Sequence, residues 1–148
     1  MNLSTHFTLD EATFSSTAVR MCIDNQPSSV QLVAMNIAAQ GMEVVRQILG
    51  SRAIKIDSWL RADAVNKAVG GAKNSAHLFG YAIDFICPDF GTPLEIVKAI
   101  RESGLKVDQC IQEGKWVHVS FDPRLRQQFL TAHFALGEPT TYTNGVTA

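Results

Sequence analysis

The sequence contains little that would tie it to a membrane, a nucleic acid or an oxidising compartment. No apolar run approaches the roughly 18 residues of a membrane-spanning helix. The opening MNLSTHFTLDEATF lacks both the basic start and the unbroken apolar stretch of a secretory signal. The expectation is a chain made in the cytoplasm, which something else must release if it acts outside. Lys and Arg number 13 against 14 Asp and Glu. With a net charge of -1 there is no basic excess to neutralise phosphates or attract anionic lipid. The three cysteines, Cys22, Cys87 and Cys110, are widely spaced and form no CxxC pair. They give neither a disulfide framework nor a thiolate zinc knuckle, and small buried residues are the better reading. An apolar fraction of 46% with 18% charged residues argues against disorder.

What is present is enough chain for one compact domain with a real core. Thr8-Leu9-Asp10-Glu11 can open a short helix, with Thr8 as N-cap and Glu11 as its capping-box partner. His6, just before it, is expected to pack or to make a surface contact. Asn25 to Ser28 reads as a turn. From Val30 to Leu49 apolar residues recur at helical spacing, with Gly50 where a C-terminal cap belongs. Residues 53–59 and 81–86 alternate as strands, residues 63–69 suggest a short helix, and Pro93 to Ser103 a longer one ended by Gly104. Residues 107–111 and 116–121 follow as a hairpin, and Pro123 to about Phe134 as a last short helix. Residues 1–136 then form a single domain. Residues 137–148 lack core residues and are expected to be a mobile tail. Helices and strands without regular βαβ alternation predict an α+β domain.

Three residues carry the chemistry: His77 and Asp84 in S-A-H-L-F-G-Y-A-I-D-F, and His118 in W-V-H-V-S-F. Two imidazoles and a carboxylate suit zinc and leave a fourth tetrahedral position open. On the strand around Asp84, Ala82, Asp84 and Ile86 share one face while Ile83 and Phe85 enter the core. A carboxylate flanked by core residues is costly to bury without a partner, so its position needs explaining. The competing reading makes each His an ordinary core or surface residue and the Asp a turn cap.

The pattern S-x-H-x-x-G-x-A-x-D followed by W-x-H resembles the D-alanyl-D-alanine carboxypeptidase-type zinc peptidases. That family includes phage L-alanyl-D-glutamate endolysins. The resemblance extends to L-S-x-H-F-T-L-x-E at the start, to V-N-x-A-V-G-G-A-K before the motif and to D-Q before the last strand, and it spans roughly residues 1 to 133. It implies a small antiparallel sheet flanked by helices, the fold shared with hedgehog zinc domains. It also implies Zn2+ as cofactor, held by His77, Asp84 and His118.

A zinc peptidase needs a carboxylate to take a water's proton and return it to the leaving amine. Many members of the family place it three residues before the last His, where this chain has Lys115. Glu113 lies five residues before His118, and on one continuous strand the two would face opposite ways. A two-residue Gly114-Lys115 hairpin loop would instead pair Glu113 with Trp116 and put it on the face of His118. A three-residue loop would turn Asp108, Cys110 and Gln112 to that face, making Asp108 the candidate base. Arg61, in S-W-L-R, matches the family's arginine ahead of the metal motif and would hold a substrate carbonyl or carboxylate. Its alternative is a salt bridge to Asp57 or Asp63. Ser75 matches a family position that can hydrogen-bond substrate, with capping as the alternative. Trp116 walls the cleft or packs in the core. His133 is expected at the surface.

The resemblance implies hydrolysis of the peptidoglycan stem peptide, at D-Ala-D-Ala or L-Ala-D-Glu, by a monomer that neither binds nucleic acid nor inserts into a membrane. A phage or prophage lysis role with holin-dependent release fits. A non-catalytic zinc domain for partner or cell-wall binding is the competing class.

Overall fold

The computed structural model describes residues 1–148. Helices α1 (Leu9–Thr13), α2 (Ser16–Met21) and α3 (Ser29–Ile48) come first, then β1 (Lys55–Ser58) and α4 (Asp63–Ala68). A 3-10 helix (Ala76–Phe79), β2 (Ala82–Ile86) and α5 (Pro93–Ser103) follow, and the chain ends in β3 (Gln109–Gln112), β4 (Val117–Ser120), β5 (Gln128–His133) and β6 (Thr141–Asn144). All six strands form one sheet in the order β1-β2-β4-β3-β5-β6. Only the β3–β5 pair is parallel. This is the expected α+β class, with a mostly antiparallel sheet and helices beside it.

Local chemistry accounts for the helix boundaries. Thr8 and Glu11 form the capping box expected at α1. Ser28 with Gln31, and Thr92 with Glu95, repeat that device at α3 and α5. Gly104 closes α5 in the left-handed conformation. The alternation of β2 also holds. Ile83 and Phe85 join Val117, Val119, Cys110, Met35, Met42 and Ile100 in one buried cluster against the helices. Asp84 and His118 point to the opposite, open face, as cross-strand partners.

Two expectations fail at the C-terminal end. Residues 123–134 do not form a helix: Leu125 and Gln127 take φ of 42° and 55°, which breaks helical continuity. The chain then pairs with β3 as β5. Residues 137–148 are not a tail without core residues, because Thr141–Asn144 pair with β5 as β6 and Val146 packs against the core. Thr131 Oγ1 donates to Gly145 O at 2.8 Å, and Thr147 N donates back to Thr131 Oγ1 at 3.0 Å. The helix α2 carries no sequence signal strong enough to expect. It has one buried residue, Ala18.

Candidate metal centre and active-site cleft

Three segments of different kinds bring His77, Asp84 and His118 together. His77 sits in the 3-10 helix, which Ser75 caps by accepting from His77 N at 3.3 Å. Gly80 ends that helix with φ 88°, and an added Cβ there would lie 2.8 Å from Met35 Cγ and 3.0 Å from Gln31 O. Glycine is therefore required both by conformation and by the close approach of α3. The turn delivers the chain into β2 and Asp84, and β4 sets His118 directly opposite.

Their ligand atoms all lie within 4.8 Å of one another. Asp84 Oδ1 lies 2.9 Å from His118 Nδ1 and 3.3 Å from His77 Nε2. His77 Nδ1 lies 2.7 Å from the Trp59 carbonyl, which fixes that nitrogen as the donor and leaves Nε2 as the lone-pair nitrogen facing Asp84. Trp59 is itself fully buried, and its indole donates to Gly80 O at 2.8 Å. Burial holds the His77 ring toward its neutral, ligating form. Burial would raise the Asp84 carboxyl, but the two imidazoles outweigh it and hold the group well below the usual carboxylate range. Burial would lower His118, and the Asp84 carboxylate reverses the direction. A buried carboxylate converging with two imidazole nitrogens, one already oriented by a carbonyl, is a donor set suited to a tetrahedral metal ion with one position left open. The residues fit zinc.

Arg61 does not take either expected salt-bridge partner. Its Nη2 donates to Asp84 Oδ2 at 3.1 Å and its Nε to Ser58 Oγ at 3.1 Å. The two Asp84 oxygens are thus divided, one toward the imidazoles and one toward Arg61. Asn25, expected only as a turn residue, braces this segment. Its amide donates to Leu60 O at 3.0 Å and its carbonyl accepts from Ala62 N at 2.7 Å.

The hairpin has the two-residue loop. Gln112 pairs with Val117, and Glu113 N donates to Trp116 O at 3.1 Å. Gly114 takes φ 79°, the positive value that two-residue hairpin turns need at their first position. Glu113 therefore shares the open face with Trp116 and His118. Burial raises its carboxyl above the ordinary value, against the pull of His118. Asp108 stands on the other side. Its carboxylate accepts from Arg126 Nε at 2.8 Å and from Nη2 at 2.9 Å, and does not line the cleft.

A cleft of about 430 Å³ joins these groups, within the range of small-ligand pockets. Arg61, Ser75, His77, Asp84, Glu113, Trp116 and His118 all line it. Ser75 thus combines capping with a place in the wall, and Trp116 belongs to the wall rather than the core. Its buried indole N–H has no hydrogen-bond partner in the fold. His133 is exposed, as expected, with Nε2 2.8 Å from Thr143 Oγ1. His6 makes its surface contact with Glu43 at 2.8 Å. The wall also contains Leu130, Phe134, Thr140 and Tyr142, all from the segment expected to be a helix and a tail. The run of β-favouring types in Thr140-Thr141-Tyr142-Thr143, closed by Asn144-Gly145, was the available signal.

The family model described as Peptidase M15 matches residues 5–120. The chain belongs to this family. The match covers the candidate ligands His77, Asp84 and His118 together with Arg61, Ser75, Glu113 and Trp116, so every candidate site residue of this M15 peptidase falls inside it. No curated protein matches the chain significantly. No helix of the M15 peptidase is long and apolar enough to cross a membrane.

Proposed function

We propose that this M15 peptidase is a zinc enzyme that hydrolyses the peptidoglycan stem peptide, at D-Ala-D-Ala or L-Ala-D-Glu. The observation that carries the reading is the shared open face. The triad, Glu113 and Arg61 line one cleft, and Glu113 is the cleft's only carboxylate besides Asp84. A ligand set alone would serve a structural metal, whereas a free carboxylate beside it provides general acid–base chemistry.

His77 Nε2, Asp84 Oδ1 and His118 Nδ1 would hold the metal. When bound, zinc supplies a Lewis acid that polarises the scissile carbonyl and acidifies water. Glu113 takes the proton of the attacking water on its carboxylate and returns it to the leaving amine. Its place on the open face beside His118, in the same cleft as the ligand set, puts the carboxylate where this exchange can occur. Arg61 has a double task. It holds Asp84 Oδ2, and its guanidinium presents positive charge to a substrate carbonyl or carboxylate in the same cleft. Ser75 contributes a hydroxyl and Trp116 an aromatic face at the wall. A phage or prophage lysis role, as a monomer released through a holin to act on the cell wall, fits this reading.

The test is digestion of purified peptidoglycan by the zinc-loaded protein, with mass spectrometry of the fragments. The expected result is a new amine terminus at D-Ala or D-Glu. Stoichiometric zinc without cleavage of either bond would mark a non-catalytic zinc domain and end the peptidase reading.

A further inference from the structure

Strands β5 and β6 supply no metal ligand and lie beyond the residues matched by the family model, yet they close one side of the cleft. Register places them there. Ile111 pairs with both His118 and Leu130, and Ala132 pairs with Tyr142. Cross-strand partners and alternate residues share a face, so Tyr142 stands on the same open face as His118 and Glu113. Phe134 continues that face past the end of β5, its ring centroid 6.1 Å from that of Trp116. Phe134 is 56% exposed and Tyr142 52% exposed. Two large aromatic side chains thus meet solvent beside a cleft whose other wall is charged. Burial and the Glu113 and Asp84 carboxylates push the Tyr142 phenol up, so it stays a protonated donor.

We propose that β6 and the end of β5 form a substrate-binding wall, in which Phe134 and Tyr142 hold the part of a peptide that lies several residues from the scissile bond. The inference rests on the peptidase reading and adds a length requirement to it. In the sheet order, β6 lies three strand spacings from β4, the strand of His118. At 4.7–4.9 Å per spacing this is about 14 Å, or about four residues of extended chain at 3.3–3.6 Å each. A dipeptide centred on the metal position reaches at most the near edge of the wall, where Phe134 meets Trp116. A stem peptide of four or five residues spans it. Aromatic faces suit such a chain because they offer contact area at low entropic cost, while the Tyr142 hydroxyl can donate to a backbone carbonyl.

The test compares Tyr142→Ala and Phe134→Ala with wild type, as zinc-loaded full-length protein. Substrates are a stem pentapeptide and a blocked dipeptide spanning the same scissile bond. Pentapeptide binding to the Glu113→Gln protein, with and without each wall substitution, is measured by calorimetry. The expected result is a KM about tenfold higher for the pentapeptide, less than twofold different for the dipeptide, and a parallel tenfold loss of pentapeptide binding. Zinc content and Tm stay at the wild-type values. Tyr142→Thr keeps strand propensity and gives the same split should the alanine variant fold poorly. Equal losses on both substrates, or unchanged pentapeptide KM and binding, overturn the wall. If wild type cleaves only the pentapeptide, the calorimetry alone decides. Wild type that cleaves neither substrate overturns the peptidase reading itself, before any wall variant is compared.

Discussion

Glu113→Gln separates chemistry from folding in one substitution. The amide keeps the volume and the hydrogen-bonding edge of the carboxylate but cannot accept the water's proton. General acid–base catalysis by a positioned side chain contributes about 10²–10⁴-fold, or about 3–5 kcal/mol of barrier at 1.36 kcal/mol per decade. A loss of that size in kcat is expected, with zinc content unchanged, because Glu113 is not among the proposed ligands His77, Asp84 and His118. Stability moves the other way. Burial raises the Glu113 carboxyl in the folded state, so the fold binds a proton there more readily than the unfolded chain does. Its ionised form therefore destabilises the fold, and this cost grows as pH rises from the unfolded pKa through the folded one. Glu113→Gln removes that cost. In metal-free protein, where no dication offsets the carboxylate, the variant is expected to melt at or above wild type at pH 7, with the difference shrinking below pH ~4. The assays are steady-state hydrolysis of a stem peptide across pH and calorimetric Tm of the metal-free proteins. The acid limb of the wild-type kcat/KM profile that reports Glu113 should disappear in the variant. Activity within threefold of wild type, or a lower Tm at pH 7, would refute the assignment of Glu113 as a strained base.

Further outcomes follow from the same geometry. His77→Ala, Asp84→Ala and His118→Ala should each abolish stoichiometric zinc, read by elemental mass spectrometry, and a chelator should silence the wild type until zinc is restored. Asp108→Asn should destabilise by about 1–3 kcal/mol in urea unfolding and leave zinc content intact, since its carboxylate serves Arg126 on the far side of the sheet. The Arg126 hydrogen bonds depress the Asp108 carboxyl. Its contribution is therefore present above the unfolded pKa and lost as pH falls through the folded one, which a pH series of the same unfolding curves checks. Gly80→Ala should cost about 2–4 kcal/mol, from the left-handed backbone and the crowding against Met35 and Gln31, and should lower zinc affinity because that turn aims His77.

The parts of the site legible in the sequence are those governed by short-range rules. Period-two alternation placed Asp84 opposite Ile83 and Phe85. Glycine chemistry at Gly114 set the loop length that decides between Glu113 and Asp108. Capping residues marked α1, α3 and α5. Long-range pairing hid the rest. Leu125, Phe129, Leu130 and Phe134 are an apolar set compatible with helix or strand, and only the parallel pairing of β5 with β3 chooses between them. Once β5 is placed, it offers an edge on which Thr141–Asn144 can pair, so the supposed tail becomes structure for a reason located more than thirty residues away in β3. Arg61 differs in another way. The two acids near it in sequence, Asp57 and Asp63, were its alternative partners, but the fold brings Asp84 to it from 23 residues away.

The division of the Asp84 oxygens links these observations. A carboxylate with a positive guanidinium on one oxygen is a weaker electron donor to whatever its other oxygen meets, so Arg61 anchors Asp84 and would tune it as a metal ligand. The cost of burying Asp84 is met from both sides, by Arg61 and by the two imidazoles. Removing Arg61 would leave Oδ2 without its charged partner in a buried position, and the imidazoles could not compensate without turning away from the metal position. Loss of metal affinity and loss of substrate binding should then appear together in Arg61→Ala, whereas Arg61→Lys restores charge without the fork that reaches Ser58 and Asp84 at once. Zinc affinity that recovers with lysine while KM stays high would assign the guanidinium's planar geometry to substrate and its charge to Asp84.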